Sequence, residues 1–263
     1  MNILVTINKN YLNILFTMLN SLKTNNKNAD IIVYIVSNDV NDEDLTLFFD
    51  ELKMEYKLIR YKDEILDNAP TTKRYPSVIY YRLLAANYLP ADLDRILYLD
   101  PDLVVLKDIS NLYNMDFKDN YYIGASNVKK VLRKFNEIKN KAPKDSIYLN
   151  NGVLLINLNL LRKRKNLSKE IYDYIVKNKL TLFLPDQDIL QALYGDKVIQ
   201  VDNLLYNLSD RTINRYNFSH RTNKIDLNWV DNNCYIIHYF GRNKPWKDNY
   251  RGILKGYYLK YKR

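Results

Sequence analysis

The sequence predicts a single α/β domain built from βα units. Two observations predict it. Over the first hundred residues short apolar runs alternate with helix-period patterns, as strands and crossover helices feeding a parallel sheet do. No Pro/Gly/Ser-rich linker divides the 263-residue chain, a length that suits one large domain or two small ones at about 100–200 residues each. Hydrophobic residues make up 47% and charged residues 27%, which excludes wholesale disorder and collagen-like repeats.

Taken in order, Ile3–Ile7 reads as a buried strand, and Leu12, Leu15, Phe16, Leu19 and Leu22 follow at helical spacing. Ile31–Val36 is a second strand. Asn41 with Asp44 three residues later marks a helix start ahead of Leu45, Leu47, Phe48 and Leu52. Lys57–Tyr61 makes a weaker strand, and Val78–Tyr88 a helix that Pro90 ends. Arg95–Leu99 is a strand whose carboxyl end is acidic. Further strands are expected at Tyr121–Ala125, Val153–Leu158, Lys197–Val201 and Tyr235–Tyr239, with helices over Ile171–Lys179 and from Pro185 to Gly195. In open α/β sheets ligands bind beyond the carboxyl ends of the strands. That rule selects Thr6 and Asn8 after the first strand, and Asp100-Pro101-Asp102 after the fourth.

Two carboxylates at i and i+2 in extended chain project to the same side and can share one divalent cation; hard oxygen ligands with open positions suit Mg²⁺ or Mn²⁺. The spacing alone does not discriminate, because Asp42/Asp44, Asp92/Asp94, Asp100/Asp102 and Asp186/Asp188 all have it. Asp42/Asp44 fits a helix start and Asp92/Asp94 a solvated turn. Asp100/Asp102 stands apart because apolar runs flank it on both sides, where uncompensated carboxylates are costly. Asp186/Asp188 opens a helix and is open to a capping reading. His238 ends an apolar run, as either a core histidine or a third ligand; Gly241 and Lys244 after it suit close approach and charge for a phosphate. Asn150-Asn151-Gly152 precedes a buried strand and offers amides to hydroxyls, or forms a turn.

Five segments, Tyr81-Arg82-Leu83, Leu97-Tyr98-Leu99-Asp100-Pro101-Asp102, Asn150-Asn151-Gly152-Val153, Pro185-Asp186-Gln187-Asp188 and His238-Tyr239-Phe240-Gly241-Arg242-Asn243-Lys244-Pro245-Trp246, occur in an order that resembles glycosyltransferase family 8 over nearly the whole chain. The resemblance implies a GT-A fold, a mixed central sheet flanked by helices, and a retaining enzyme that moves glucose or galactose from a UDP-sugar, as lipopolysaccharide galactosyltransferases do. Mn²⁺, or Mg²⁺, would be held by Asp100, Asp102 and His238. Thr6, Asn8, Asn10 and Tyr11 would meet the nucleoside, Asn8 standing where many relatives carry Asp. Pro101 lies between the metal ligands, and Gly241 and Lys244 would meet the diphosphate. Arg82, Asn150, Asn151 and Asp186 would contact the donor sugar, and Gln187, supported by Asp188, would face the anomeric carbon. The acceptor is expected to be a cell-surface glycan, glycolipid or glycoprotein. A catalytically inactive UDP-sugar-binding protein of the same fold is the alternative.

The net charge of +10 admits nucleic acid, an anionic membrane surface or a phosphorylated ligand. No nucleic-acid motif is present, so nucleic acid is not an expected partner. The excess concentrates in Lys129–Lys144 and in a carboxy-terminal tail, residues 246–263, following a catalytic domain of residues 1–245. The tail interleaves its cations with Trp246, Tyr250, Tyr257, Tyr258 and Tyr261, which suits peripheral contact with an inner membrane face as well as simple solvation. The lone Cys234 excludes an internal disulfide, and the N-terminus lacks a basic leader pattern, so a cytoplasmic protein is expected. Nothing in the sequence sets an oligomeric state.

Overall fold

The computed structural model describes residues 1–64, 77–128 and 130–263; of the basic run, Lys129 lies outside these. Among the described residues seven strands form the main sheet: β1 (Asn2–Thr6), β2 (Ile32–Val36), β3 (Glu55–Ile59), β4 (Arg95–Leu99), β6 (Tyr122–Ala125), β7 (Val153–Asn157) and β8 (Val198–Val201). Two more, β5 (Leu103–Val105) and β9 (Ile236–His238), pair in a separate ribbon. The main sheet runs β3-β2-β1-β4-β7-β6-β8. Neighbours β3, β2, β1 and β4 are parallel, while β7 is antiparallel to both β4 and β6. The sheet is therefore mixed, as the resemblance implied.

The central strands are apolar without alternation because both faces are covered. Alternate residues of β1 and β4 divide between two cores. Ile3, Val5, Leu97 and Leu99 pack with Leu15, Met18, Leu19 and Leu22 of the helix Leu12–Asn25. Leu4, Ile96 and Tyr98 pack on the other face with Ile171 and Ile175 of the helix Leu167–Asn178 and with Ile189 and Leu190 of the helix Pro185–Tyr194. Burial of each such side chain is worth about 1.5–3 kcal/mol.

Three expectations shift. The third strand begins two residues earlier than Lys57, because β3 is a half-exposed edge strand with a weak apolar signal. The segment expected as a helix from Val78 winds as a 3₁₀ helix over Ser77–Leu84 before one α-turn, Ala85–Tyr88; Ile79, Tyr80 and Tyr81 are poor α-formers. At Asn41 the capping box with Asp44 is present, but it opens a 3₁₀ turn, with the α-helix following at Thr46–Leu52.

The carboxy-terminal segment is integrated into the body. Tyr258 and Tyr261 are buried in a third core with Val104 of β5 and Ile237 of β9. Trp246, Tyr250 and Tyr257 pack partly buried against the same cluster. The helix Lys255–Tyr261 lies on the helix Leu12–Asn25, where Asn20 Nδ2 donates to Tyr261 O at 3.0 Å and Asn25 Nδ2 to Tyr261 Oη at 2.9 Å. The aromatic side chains expected to be available for lipid are thus occupied within the fold. Cys234 is buried, and burial pushes its thiol up to about 12, a structural thiol rather than a reactive one. No helix among the described residues is long and apolar enough to cross a membrane.

Candidate active site

The order β2-β1-β4 places a switch point between β1 and β4, the place where open α/β sheets bind ligands beyond the strands' carboxyl ends. Thr6 ends β1, and Asp100 follows β4 directly. The Thr6 hydroxyl lies 3.1 Å from Tyr98 Oη, which donates to Asp100 Oδ1 at 2.7 Å. Beyond β1, Asn8 Oδ1 accepts from Asn10 N at 3.1 Å and caps the turn Lys9–Tyr11. Asn8, Asn10 and Tyr11 are exposed beyond the carboxyl end of β1.

The ribbon completes the cluster. β5 starts immediately after Asp102 and pairs antiparallel with β9 in the register Leu103↔His238, so the acidic turn and the end of β9 meet. The buried Pro101 fixes the turn between β4 and β5. His238 Nε2 stands 3.3 Å from Asp102 Oδ1 and 3.6 Å from Asp100 Oδ2. One ligand atom from each of Asp100, Asp102 and His238 lies within 4.8 Å of the others.

Asn207, absent from the expected site residues, sets the histidine. Its Oδ1 accepts from His238 Nδ1 at 2.7 Å, so Nε2 is the ring nitrogen turned toward the two carboxylates. Two carboxylates and a ring nitrogen converging on one point can share a cation, and two oxygens with an imidazole suit Mn²⁺ or Mg²⁺. The residues present therefore fit a divalent ion. Gly152 is needed for the same cluster: a Cβ there would fall 2.2 Å from His238 Cε1 and 2.8 Å from Asp100 Oδ2. Asn207 carried little signal in the sequence, being one amide in the polar stretch Tyr206-Asn207-Leu208-Ser209.

Two cations flank the carboxylates. Arg82, buried and stacked 4.3 Å over the Tyr98 ring, reaches Asp100 Oδ1 at 3.1 Å, Asp186 Oδ2 at 3.6 Å and Asn151 O at 3.2 Å. Burial disfavours its charge, but Asp100 and the other groups beside it outweigh this and raise its pKa further. Lys244 pairs with Asp102 Oδ2 and donates to Tyr239 O at 2.9 Å. Burial pushes the Asp102 carboxyl up, yet His238 and Lys244 more than reverse this and hold it well below the usual carboxylate range. Gly241, with φ +88, occupies the left-handed region in the exposed loop after β9.

The remaining candidates sit on the other wall. Asn150 N donates to Ala125 O at 2.8 Å, and its Oδ1 accepts from Gly152 N at 3.2 Å. Asn151 Nδ2 donates to Asp186 Oδ2 at 3.1 Å. Burial raises the Asp186 carboxyl, partly offset by Arg82. Gln187 is half-buried at the same helix N-terminus. Asp188, expected to support Gln187, is enclosed. It is fully buried, and its Oδ1 accepts from Lys139 Nζ at 2.9 Å, Asn140 Nδ2 at 3.1 Å and Tyr148 Oη at 2.9 Å. Its Oδ2 accepts from Phe183 N at 2.8 Å and Leu184 N at 3.2 Å. A carboxylate with five donors and no exposure anchors the helix that carries Gln187 and is not presented to the site in this structure.

An α/β fold with this switch-point crevice and acidic turn defines the class of GT-A glycosyltransferases. The structure of galactosyltransferase LgtC in complex with donor and acceptor sugar analogues superposes with a TM-score of 0.82 at 21% identity, over 99% of this chain and 95% of that one. The model of glycosyl transferase family 8 matches residues 2–250, and the chain belongs to that family, whose enzymes retain the anomeric configuration. Among its relatives, lipopolysaccharide 1,2-glucosyltransferase of Escherichia coli is 29% identical over 237 residues, covering 87% of this chain and 68% of the relative. Lipopolysaccharide glucosyltransferase WaaO of E. coli K12 is 28% identical over 233 residues, covering 85% of this chain and 66% of the relative.

Proposed function

We propose that this glycosyltransferase moves a hexose, glucose or galactose, from a UDP-sugar to a lipid-linked cell-surface glycan. The convergence of Asp100, Asp102 and His238 beside the switch-point crevice carries the reading. The names of the relatives supply the acceptor class. Asp100, Asp102 and His238 would hold Mn²⁺, with Mg²⁺ as the alternative ion. When bound, such an ion stabilises charge on a departing diphosphate as a Lewis acid.

The protein's own residues do the rest. Thr6, Asn8, Asn10 and Tyr11 border the nucleoside end of the crevice, with the exposed Tyr11 ring free to stack on a base. Lys244, with Gly241 allowing close backbone approach, adds a second cation for the diphosphate. Arg82, Asn150, Asn151 and Asp186 hold donor hydroxyls, fixing the anomeric carbon toward the acceptor. Gln187 faces that carbon. An amide is a poor nucleophile, Asp188 is sealed, and Asp186 is engaged by Arg82 and Asn151, which speaks against the carboxylate nucleophile of a retaining hydrolase. Same-face attack by the acceptor hydroxyl, its proton passing to the leaving phosphate, is the step that remains.

Screening UDP-glucose and UDP-galactose for UDP release with Mn²⁺ tests the proposal. Release abolished by a chelator is expected. Tight UDP binding without turnover on either donor would favour the inactive binding protein instead, and a covalent glycosyl adduct on the enzyme would overturn same-face attack.

A further inference from the structure

The helix Lys130–Lys139 is turned inside out. A surface helix ordinarily buries its apolar stripe and exposes its polar one. Here Val131, Leu132, Phe135 and Ile138 are 81, 55, 62 and 72% exposed. Val131, Phe135 and Ile138 follow the i, i+4, i+7 spacing of one helical face. The inward face is polar: Glu137 is buried and accepts from Lys134 Nζ at 2.7 Å and Asp145 N at 3.0 Å, while Lys139 Nζ lies 2.9 Å from Asp188 Oδ1. Phe183, 70% exposed, extends the apolar face, with Lys139 Nζ 4.8 Å from its ring centroid.

The rim of this face is cationic. Arg133, Lys141 and Lys144 make no ion pair among the described residues, and Asp145 is the single exposed acid of residues 130–145. We infer that this face docks on an anionic lipid bilayer, its apolar stripe entering the interface and Arg133, Lys141 and Lys144 meeting lipid phosphates. A symmetric pairing of two copies through the same face would bring those like charges together, which disfavours self-association. The face is braced on the site through Lys139 and Asp188, one residue from Gln187. A glycan anchored in that bilayer would therefore be held near the rim of the crevice. That last consequence rests on the transferase reading; the lipid contact does not.

Co-sedimentation with phosphatidylcholine vesicles, with and without phosphatidylglycerol, tests the inference on the full chain. The wild type is expected to bind the anionic vesicles, to release them at high salt and to ignore the neutral ones. Phe135→Ser/Ile138→Ser and, separately, Lys141→Glu/Lys144→Glu should each weaken binding at least about tenfold. UDP release from a soluble donor and the melting temperature should stay unchanged, since all four side chains are exposed and none is a candidate site residue. Equal vesicle binding by wild type and variants overturns the inference. So does a wild type that ignores anionic vesicles, including one that forms a dimer dissolved by Phe135→Ser/Ile138→Ser. Vesicle binding as expected, with no UDP release from any donor, supports the docking face and overturns the transferase reading alone.

Discussion

Asp100/Asp102 after β4 and Asp186/Asp188 at the start of the helix Pro185–Tyr194 have the same spacing and opposite fates. Across the extended turn, i and i+2 project together, and both carboxylates meet His238 within 4.8 Å. On a helix the same two steps turn about 200° around the axis, so Asp186 faces Arg82 and the crevice while Asp188 points into the body. One pair is left with acceptors that call for a cation, and in the other pair the inward member is saturated by five donors. Backbone geometry, rather than residue type, separates a ligand from an anchor.

The comparison breaks most visibly at its buried end. Asp188→Ala strands Lys139 and the two backbone N–H groups, and should destabilise the fold by about 3–5 kcal/mol. Thermal unfolding measures this, and an unchanged melting temperature would refute the anchor role. At the other end, Asp102→Asn removes the ionised partner of Lys244 and should lower the melting temperature, though by less than Asp188→Ala. It should lower Mn²⁺-dependent UDP release by about 100-fold or more, as loss of a group stabilising the leaving charge does. A mutant as active as wild type would remove Asp102 from the metal set.

Asn207→Ala sharpens the contrast by freeing the histidine ring. Metal affinity should fall about 10–100-fold, the usual effect of removing the partner of a ligating histidine. Asn207→Asp, which still accepts from Nδ1, should recover most of it in a Mn²⁺ titration. Smallest is the effect of Asp210→Ala. Asp210 binds Tyr250 Oη and accepts from Ile253 N at 2.8 Å, clasping the carboxy-terminal segment. Its loss should cost about 1 kcal/mol and speed amide exchange over residues 250–261, leaving metal affinity unaltered.

Acid should also distinguish the two pairs. Asp102 is held ionised below the ordinary carboxylate value of 3.8. The stability it contributes is complete well above that value and is lost as pH falls through and below it. Asp186, shifted upward, opposes folding while ionised, and that cost is relieved on acidification.

Much of the fold was legible because β1, β2 and β4 are continuous apolar runs and their helices repeat at 3.6 residues. The edge strand β3 and the aromatic 3₁₀ segment were less so, since neither carries a clean period. Asp100 and Asp102 stood out through the apolar sequence around them, whereas His238 read as either core or ligand until the family resemblance implied the set. Asn207 did not, because its role depends on His238, 31 residues away, and arises only when β9 lies beside residue 208.

The tail and the basic run show the same limit from the side of charge. Composition placed cations and aromatics together in residues 246–263, yet packing on the helix Leu12–Asn25 buried Tyr258 and Tyr261. The helix Lys130–Lys139, noted in the sequence for its lysines, is where apolar side chains reach solvent. The sequence by itself determined the alternation of strands and helices, the acidic turn between apolar runs and the net charge. Only the tertiary structure decided which carboxylates converge, which histidine nitrogen faces them and which apolar face is left uncovered, because each depends on strands and helices distant in the chain coming together.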